Sequence, residues 1–127
     1  MHDIPLPLID PNNCAVRTVE AGRVIIAPGE PTSLLFRLQA GTAQSSDGSS
    51  HGAGDLLSLC EALALDTYES TVDAMTACEL QVIPLQHLEA AIRRGGRLAW
   101  PLSRSIAAEI TQRRLACLLY TSDAADE

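Results

Sequence analysis

Aromatic residues make up only 3% of this 127-residue chain, so its core must be built from Leu, Ile, Val and Ala. No apolar run approaches the ~20 residues that a membrane span requires, and no basic segment precedes an apolar stretch at the N-terminus. These absences predict a cytoplasmic protein that does not enter a membrane. The four cysteines, Cys14, Cys60, Cys78 and Cys117, lie far apart with no CxxC pair, which argues against a zinc site and against a secreted disulfide scaffold. Iron–sulfur ligation needs about four clustered thiolates and is excluded by the same spacing. Basic charge is scarce too. With a net charge of −7 and no basic stripe before Arg113-Arg114, these residues alone are not expected to grip nucleic acid. Neither a GxSxG motif nor a Cys/His arrangement for nucleophilic catalysis is present, so no enzymatic activity is expected.

What is there reads as one folded domain, since 46% of the residues are apolar. Residues 1–14 carry Pro5, Pro7 and Pro11 and read as an irregular lead-in. From Val16 to Ile83 short β-branched runs alternate with glycine-containing turns, which is an all-β pattern. The clearest runs are Arg23–Ala27, Ser33–Gln39, Leu56–Leu59, Ser70–Met75 and Glu79–Ile83. The serine- and glycine-rich segment 45–54 reads as an exposed loop, and Glu61–Leu65 as a short helical turn. After Pro84 the period changes. Leu85, Leu88 and Ile92 mark a short amphipathic helix ending at Gly95-Gly96, and a second helix begins near Pro101. On that second helix Leu102, Ile106 and Ile110 recur at every fourth position.

The last eleven residues, Cys117 to Glu127, read differently from the rest. One frame of a common transposon-based sequencing adapter encodes all eleven, so they are expected to be a non-native tail on a chain that continued past Ala116. Setting aside Asp123, Asp126 and Glu127 leaves 13 acidic against 9 basic side chains, a net charge of −4. The helix from 97 to 116 is then the start of a longer one. Cutting it short is expected to expose Leu102, Ile106 and Ile110 and to promote weak association.

A strand-rich roll, then a short helix, then a longer apolar-faced helix resembles the cyclic-nucleotide-binding-like sensor domain of Crp/Fnr-type transcription regulators. The resemblance runs over residues 15–114. It is carried by Ala21–Glu30 as the opening strand and Pro-Gly-Glu turn, Leu34–Gly41 as the next strand, Gly54-Asp-Leu-Leu57 as the Gly-Asp turn, and Thr76–Leu80 as a late strand. It implies a mainly β fold with C-terminal α, a Crp-type double-stranded β-helix (a jelly-roll-like β-roll) over 15–96, followed by a dimerisation helix over 97–116. Gly29, Gly41 and Gly54 fall where such a roll turns its corners and positive φ is needed. The resemblance also implies a homodimer seamed through Leu102, Ile106 and Ile110, DNA contact through a missing C-terminal domain, and a small effector bound in the roll.

The departure from the family lies in its phosphate-binding cassette. Members that hold a cyclic nucleotide use a Gly-Glu pair for the ribose and, about ten residues later, an Arg that pairs with the phosphate. Here those pairs read Ser58-Leu59 and Tyr68-Glu69, and no Lys or Arg occurs between Arg37 and Arg93. Glu69 is expected near the phosphate position and would repel it by at least ~1 kcal/mol. Binding of cAMP or cGMP in the usual way is therefore not expected, and no cofactor is. By resemblance the pocket is lined by Leu57, Ser58, Leu59, Tyr68, Glu69, Ser70 and Thr71. The stretch Asp66–Val72 resembles the version found in Crp/Fnr regulators that sense other signals.

Blander readings stand beside these. Cys60 and Cys78 read as inert core filling. His51 and His87 read as solvated surface, although haem-sensing relatives do use a histidine. The Tyr68-Glu69 pair belongs more to the fold's signature than to ligand contact. A regulatory module of a channel, kinase or transporter is an alternative function. A cupin-like metalloenzyme is a weaker one, because its metal needs two or three histidines converging from paired strands.

Overall fold

Short apolar runs broken by glycine corners close, among the described residues, into eight strands and three helices. A computed structural model describes residues 15–94 and 99–125, with the side chains of the last helix described to residue 115. The strands are β1 (Ala15–Val19), β2 (Val24–Ile26), β3 (Leu34–Ala40), β4 (Ala43–Ser45), β5 (Ser50–His51), β6 (Leu56–Leu57), β7 (Val72–Ala74) and β8 (Cys78–Pro84). The helices are α1 (Leu59–Ala64), α2 (Leu85–Arg94) and α3 (Ala99–Ala125). The proline-rich lead-in and the Gly95-Gly96 helix end lie outside the described residues.

The strands form two four-stranded antiparallel sheets, ordered β1-β8-β3-β6 and β2-β7-β4-β5. This is the expected mainly β roll with C-terminal helices. Leu38, Leu57, Leu80, Ile26 and Val72 are fully buried, and each such side chain contributes roughly 1.5–3 kcal/mol. β3 and β8 are buried on both faces along Leu35–Leu38 and Leu80–Ile83. Leu88 and Ala91 of α2 and Leu102 of α3 join the same core. Among the described residues no helix is long and apolar enough to cross a membrane.

Four expectations are corrected, that of a solvated His51 among them. The segment 45–54 is not simply an exposed loop, because β5 pairs with β4 through Ala43–His51 and Gln44–Ser50. That pairing buries His51, whose Nε2 lies 2.8 Å from Ser45 Oγ. In α2 it is Ala91 rather than Ile92 that turns inward. Leu102 is buried, not exposed, because the roll itself covers it.

Gly29, Gly41 and Gly54 all take positive φ, as the corners require. At Gly41 (φ 96°) a Cβ would also collide with the Ala77 carbonyl oxygen and crowd Cys78, whereas at Gly29 (φ 91°) it would meet open space. The two positions therefore separate strain from collision. Gly29→Ala is expected to cost about 1–2 kcal/mol in urea denaturation, the left-handed penalty alone. Gly41→Ala should lose more than ~3 kcal/mol, because backbone must move as well. Equal losses would show that the close approach at Gly41 carries no energy.

Candidate functional site

β6 hands over to α1 through Ser58, which takes φ 52° and ψ 42°. A left-handed backbone at a residue other than glycine costs roughly 1–2 kcal/mol, so something must hold this corner. Ser58 makes no side-chain capping hydrogen bond. The first amides of α1 are satisfied from α3 instead. Leu59 N donates to Glu109 Oε1 and Cys60 N to Glu109 Oε2, each at 2.8 Å. One carboxylate thus meets two orphan donors at the positive end of a helix.

A second carboxylate organises the far end of the same segment. Glu69 N and Ser70 N donate to Glu61 Oε1 at 2.7 and 3.0 Å. Arg113 of α3 donates through Nη2 to Glu61 Oε2 at 2.7 Å, and its Nε lies 3.1 Å from Asp47 Oδ2 in the β4–β5 turn. Gln112 Nε2 donates to the Ser50 carbonyl at 2.9 Å. The segment from Ser58 to Ser70 is therefore held at both ends by acidic side chains, with its cation supplied by α3.

Electrostatics follow the geometry. Burial pushes the Glu61 carboxyl up, but the Glu69 and Ser70 amides and Arg113 outweigh it and hold the group below its ordinary value. Asp47 behaves likewise: burial opposes, and Ser49 and Arg113 prevail. Burial lowers His51 below 6.5, despite the nearby carboxylates of Asp55 and Glu109. The half-buried Cys60 thiol is pushed up to about 12 by burial and by Glu109, so it is protonated and inert at neutral pH. Cys78 is raised by burial as well, in keeping with core filling.

The residues expected at the pocket separate into two groups. Leu59, Glu69 and Ser70 join the carboxylate cluster through their backbone amides rather than their side chains, and Ser58 enters it as the left-handed residue before α1. The Glu69 side chain is exposed, so it is the acid at Glu61 and not at Glu69 that occupies the interior. Leu57 and the Leu59 side chain belong to the core. Tyr68 is buried and donates its hydroxyl to the Leu34 carbonyl at 2.8 Å, a structural role, and burial raises its pKa. Thr71 N donates to Ser46 Oγ at 3.3 Å, outside this cluster.

Glu61, Glu109 and Arg113 were not singled out by sequence reasoning. The signal was helical periodicity. At about 100° per residue Ile110 lies about 80° round the helix from Leu102, whereas Glu109 lies only about 20° away. The roll-facing stripe therefore runs Leu102, Ile106, Glu109, Arg113, and Ile110 is 55% exposed. Ile106 is partly buried against the core, so the three residues read as one seam are divided between the roll and the outside.

A groove of about 500 Å³ opens between α3 and the β5–β6 segment, lined in part by His51, Asp55, Leu56, Arg104 and Gln112. Asp55 Oδ2 already accepts from Gly52 N at 2.9 Å, and His51 is engaged with Ser45. Among the described residues no cluster of His, Cys, Asp or Glu is arranged to hold a metal ion.

Glu61 sets a pH dependence with a definite sign. Its folded pKa lies below the ordinary 4.5, so its contribution is complete above pH 4.5 and is lost as pH falls through the folded value. His51 acts in a higher window: its lowered pKa means that stability declines as pH falls below 6.5. Glu61→Gln should cost about 1.5–3 kcal/mol at pH 7. The gap to the parent should close on acidification below pH 4.5, with the His51 decline common to both proteins. A gap that stays constant with pH would show that Glu61 acts by shape rather than charge.

The sequence matches the model of the cyclic nucleotide-binding domain over residues 16–94. No curated protein matches it significantly. Similar solved structures include the c-di-GMP responsive global regulator CLP of Xanthomonas campestris, with TM-score 0.71, 19% identity, and coverage of 95% of this chain and 65% of that one. The catabolite activator protein of Thermus thermophilus gives TM-score 0.67 at 19% identity, covering 94% and 62%. The sensor domain of the transcriptional regulator DNR from Pseudomonas aeruginosa gives 0.63 at 16%, covering 81% and 75%. At these identities the likeness is one of fold, and the chain spans less than two thirds of CLP and of the catabolite activator protein. On the match over residues 16–94, and with a roll of the same fold as these regulators, the chain belongs to the cyclic nucleotide-binding domain family.

Proposed function

We propose that this domain is the effector-sensing part of a Crp/Fnr-type transcription regulator whose cassette does not take cAMP or cGMP. What carries the reading is that the four amides at Leu59, Cys60, Glu69 and Ser70 already donate to the chain's own carboxylates, Glu109 and Glu61. A cyclic phosphate arriving there meets two buried acids and amides that are already engaged, and the guanidinium beside them, Arg113, is committed to Glu61 and Asp47. Displacing a paired, buried carboxylate from these amides is costly. The effector is then a small molecule other than these two nucleotides.

Signal output runs through α3 in this reading. Its outward side, with Trp100 at 70% exposure and Ile110 and Leu115 at 55%, offers apolar surface for a homodimer seam. DNA contact belongs to a helix-turn-helix beyond these residues, since the acidic domain has no basic stripe of its own.

Calorimetric titration with cAMP and cGMP tests the cassette. No saturable heat is expected up to about millimolar nucleotide, the range in which binding free energy falls to about −4 kcal/mol. Saturation at micromolar concentration would overturn the reading and return the domain to the nucleotide-binding members.

A further inference from the structure

The anchoring of α3 changes in kind along its length. At its start the helix is seated by apolar packing, with Leu102 buried in the roll's core and Ile106 resting against it. Beyond Ile106 the described attachments are polar. Glu109 holds the start of α1, Gln112 the Ser50 carbonyl of β5, and Arg113 both Glu61 and Asp47. Ile110 and Leu115, the large apolar side chains of this stretch, are more than half exposed. Apolar packing tolerates small shifts, whereas charge-assisted hydrogen bonds are short and directional and are lost when the helix moves.

These contacts form one closed circuit. Glu109 satisfies the first two amides of α1, and the third residue of α1 is Glu61. Glu61 in turn holds the Glu69 and Ser70 amides on one oxygen and Arg113 on the other. Arg113 lies four residues after Glu109, on the same face of α3. Removing either α3 residue therefore removes a support from a segment that the other also supports. The left-handed Ser58 sits at the entrance of that segment, where strain favours release once the cap is gone.

We propose that Glu109 and Arg113 form a detachable latch, through which undocking of α3 beyond Ile106 loosens both ends of the 58–70 segment together while the roll stays folded. The inference rests on hydrogen-bond geometry and not on whether cyclic nucleotides bind, so the two can fail separately.

Amide hydrogen exchange followed by NMR on the full 127-residue chain tests it. Arg113→Met touches neither Leu59 nor Cys60, yet both amides should exchange on the order of tenfold faster in it. Glu109→Gln touches neither Glu69 nor Ser70, yet those amides should accelerate by on the order of tenfold as well. Amides of Ile26, Leu38 and Leu80 should keep the parent's rates. Two results overturn the latch: acceleration confined to the amides that each altered side chain itself contacts, or an equal acceleration at Leu38 and Leu80. Should a variant fail to fold, the parent chain at rising salt gives the same decision. Exchange at 59–60 and 69–70 should rise in step between about 0.05 and 1 M salt, as screening weakens the Arg113 pairs. Rates there that ignore salt, or that rise at one end only, overturn it too.

Discussion

A six-residue helix entered through a left-handed serine leaves backbone amides that nothing in its own sequence neighbourhood satisfies. Their demand for a partner is what ties the two parts of this domain together. Buried donors without acceptors cost roughly 1–3 kcal/mol each, comparable with a large part of a small domain's net stability. The acceptor comes from 49 and 50 residues downstream, in Glu109. Once α3 lies close enough to deliver that carboxylate, Gln112 and Arg113 fall within reach of the β4–β5 hairpin and of Glu61. The placement of the long helix against the roll thus follows from local backbone chemistry at one corner, supported by the apolar seat of Leu102 and Ile106.

The same constraint accounts for the charge pattern. Acidic residues predominate in this chain, and among the described residues two of them are buried: Glu61 and Glu109 are 6% and 9% exposed. Buried carboxylates survive only where hydrogen bonds and a cation replace lost water. Both have such partners, and Arg113 stands beside both. In members of this family that take a cyclic nucleotide, the resemblance places ligand phosphate and a cassette arginine in this region. In this chain the anion and the cation at this place are Glu61 of α1 and Arg113 of α3.

The roll was largely legible from local pattern. Alternating β-branched runs and glycine corners located β2, β3, β6, β7 and β8 to within a few residues, because each is fixed by side-chain periodicity and by the positive φ that its corner demands. β5 was not legible. Two residues inside a serine- and glycine-rich stretch carry no periodic signal, and only pairing with β4 makes them a strand and buries His51. The place of Ser58-Leu59 and Tyr68-Glu69 after the Gly-Asp turn was legible, but the carboxylates of Glu109 and Glu61 that meet the Leu59 and Glu69 amides were not. Position in the sequence brings Glu69 to this place, yet its amide enters the cluster while its side chain is exposed, since sequence position alone does not separate a side chain from its own amide.

By itself the sequence determined the β-roll class, the corners at Gly29, Gly41 and Gly54, the apolar start of α3 and the lack of any Lys or Arg between Arg37 and Arg93. All of these are properties of neighbouring residues and their conformational limits. Tertiary structure alone decided which face of α3 meets the roll. A four-residue repeat pointed to Ile110, but a helix turns once in 3.6 residues, and the true stripe continues into Glu109 and Arg113. Two charged side chains on an inward face look like an error in pattern until their partners, Leu59, Cys60, Glu61 and Asp47, are brought to them by the fold. Those partners lie about 50 to 66 residues away in the chain, and only the folded backbone gives them an address.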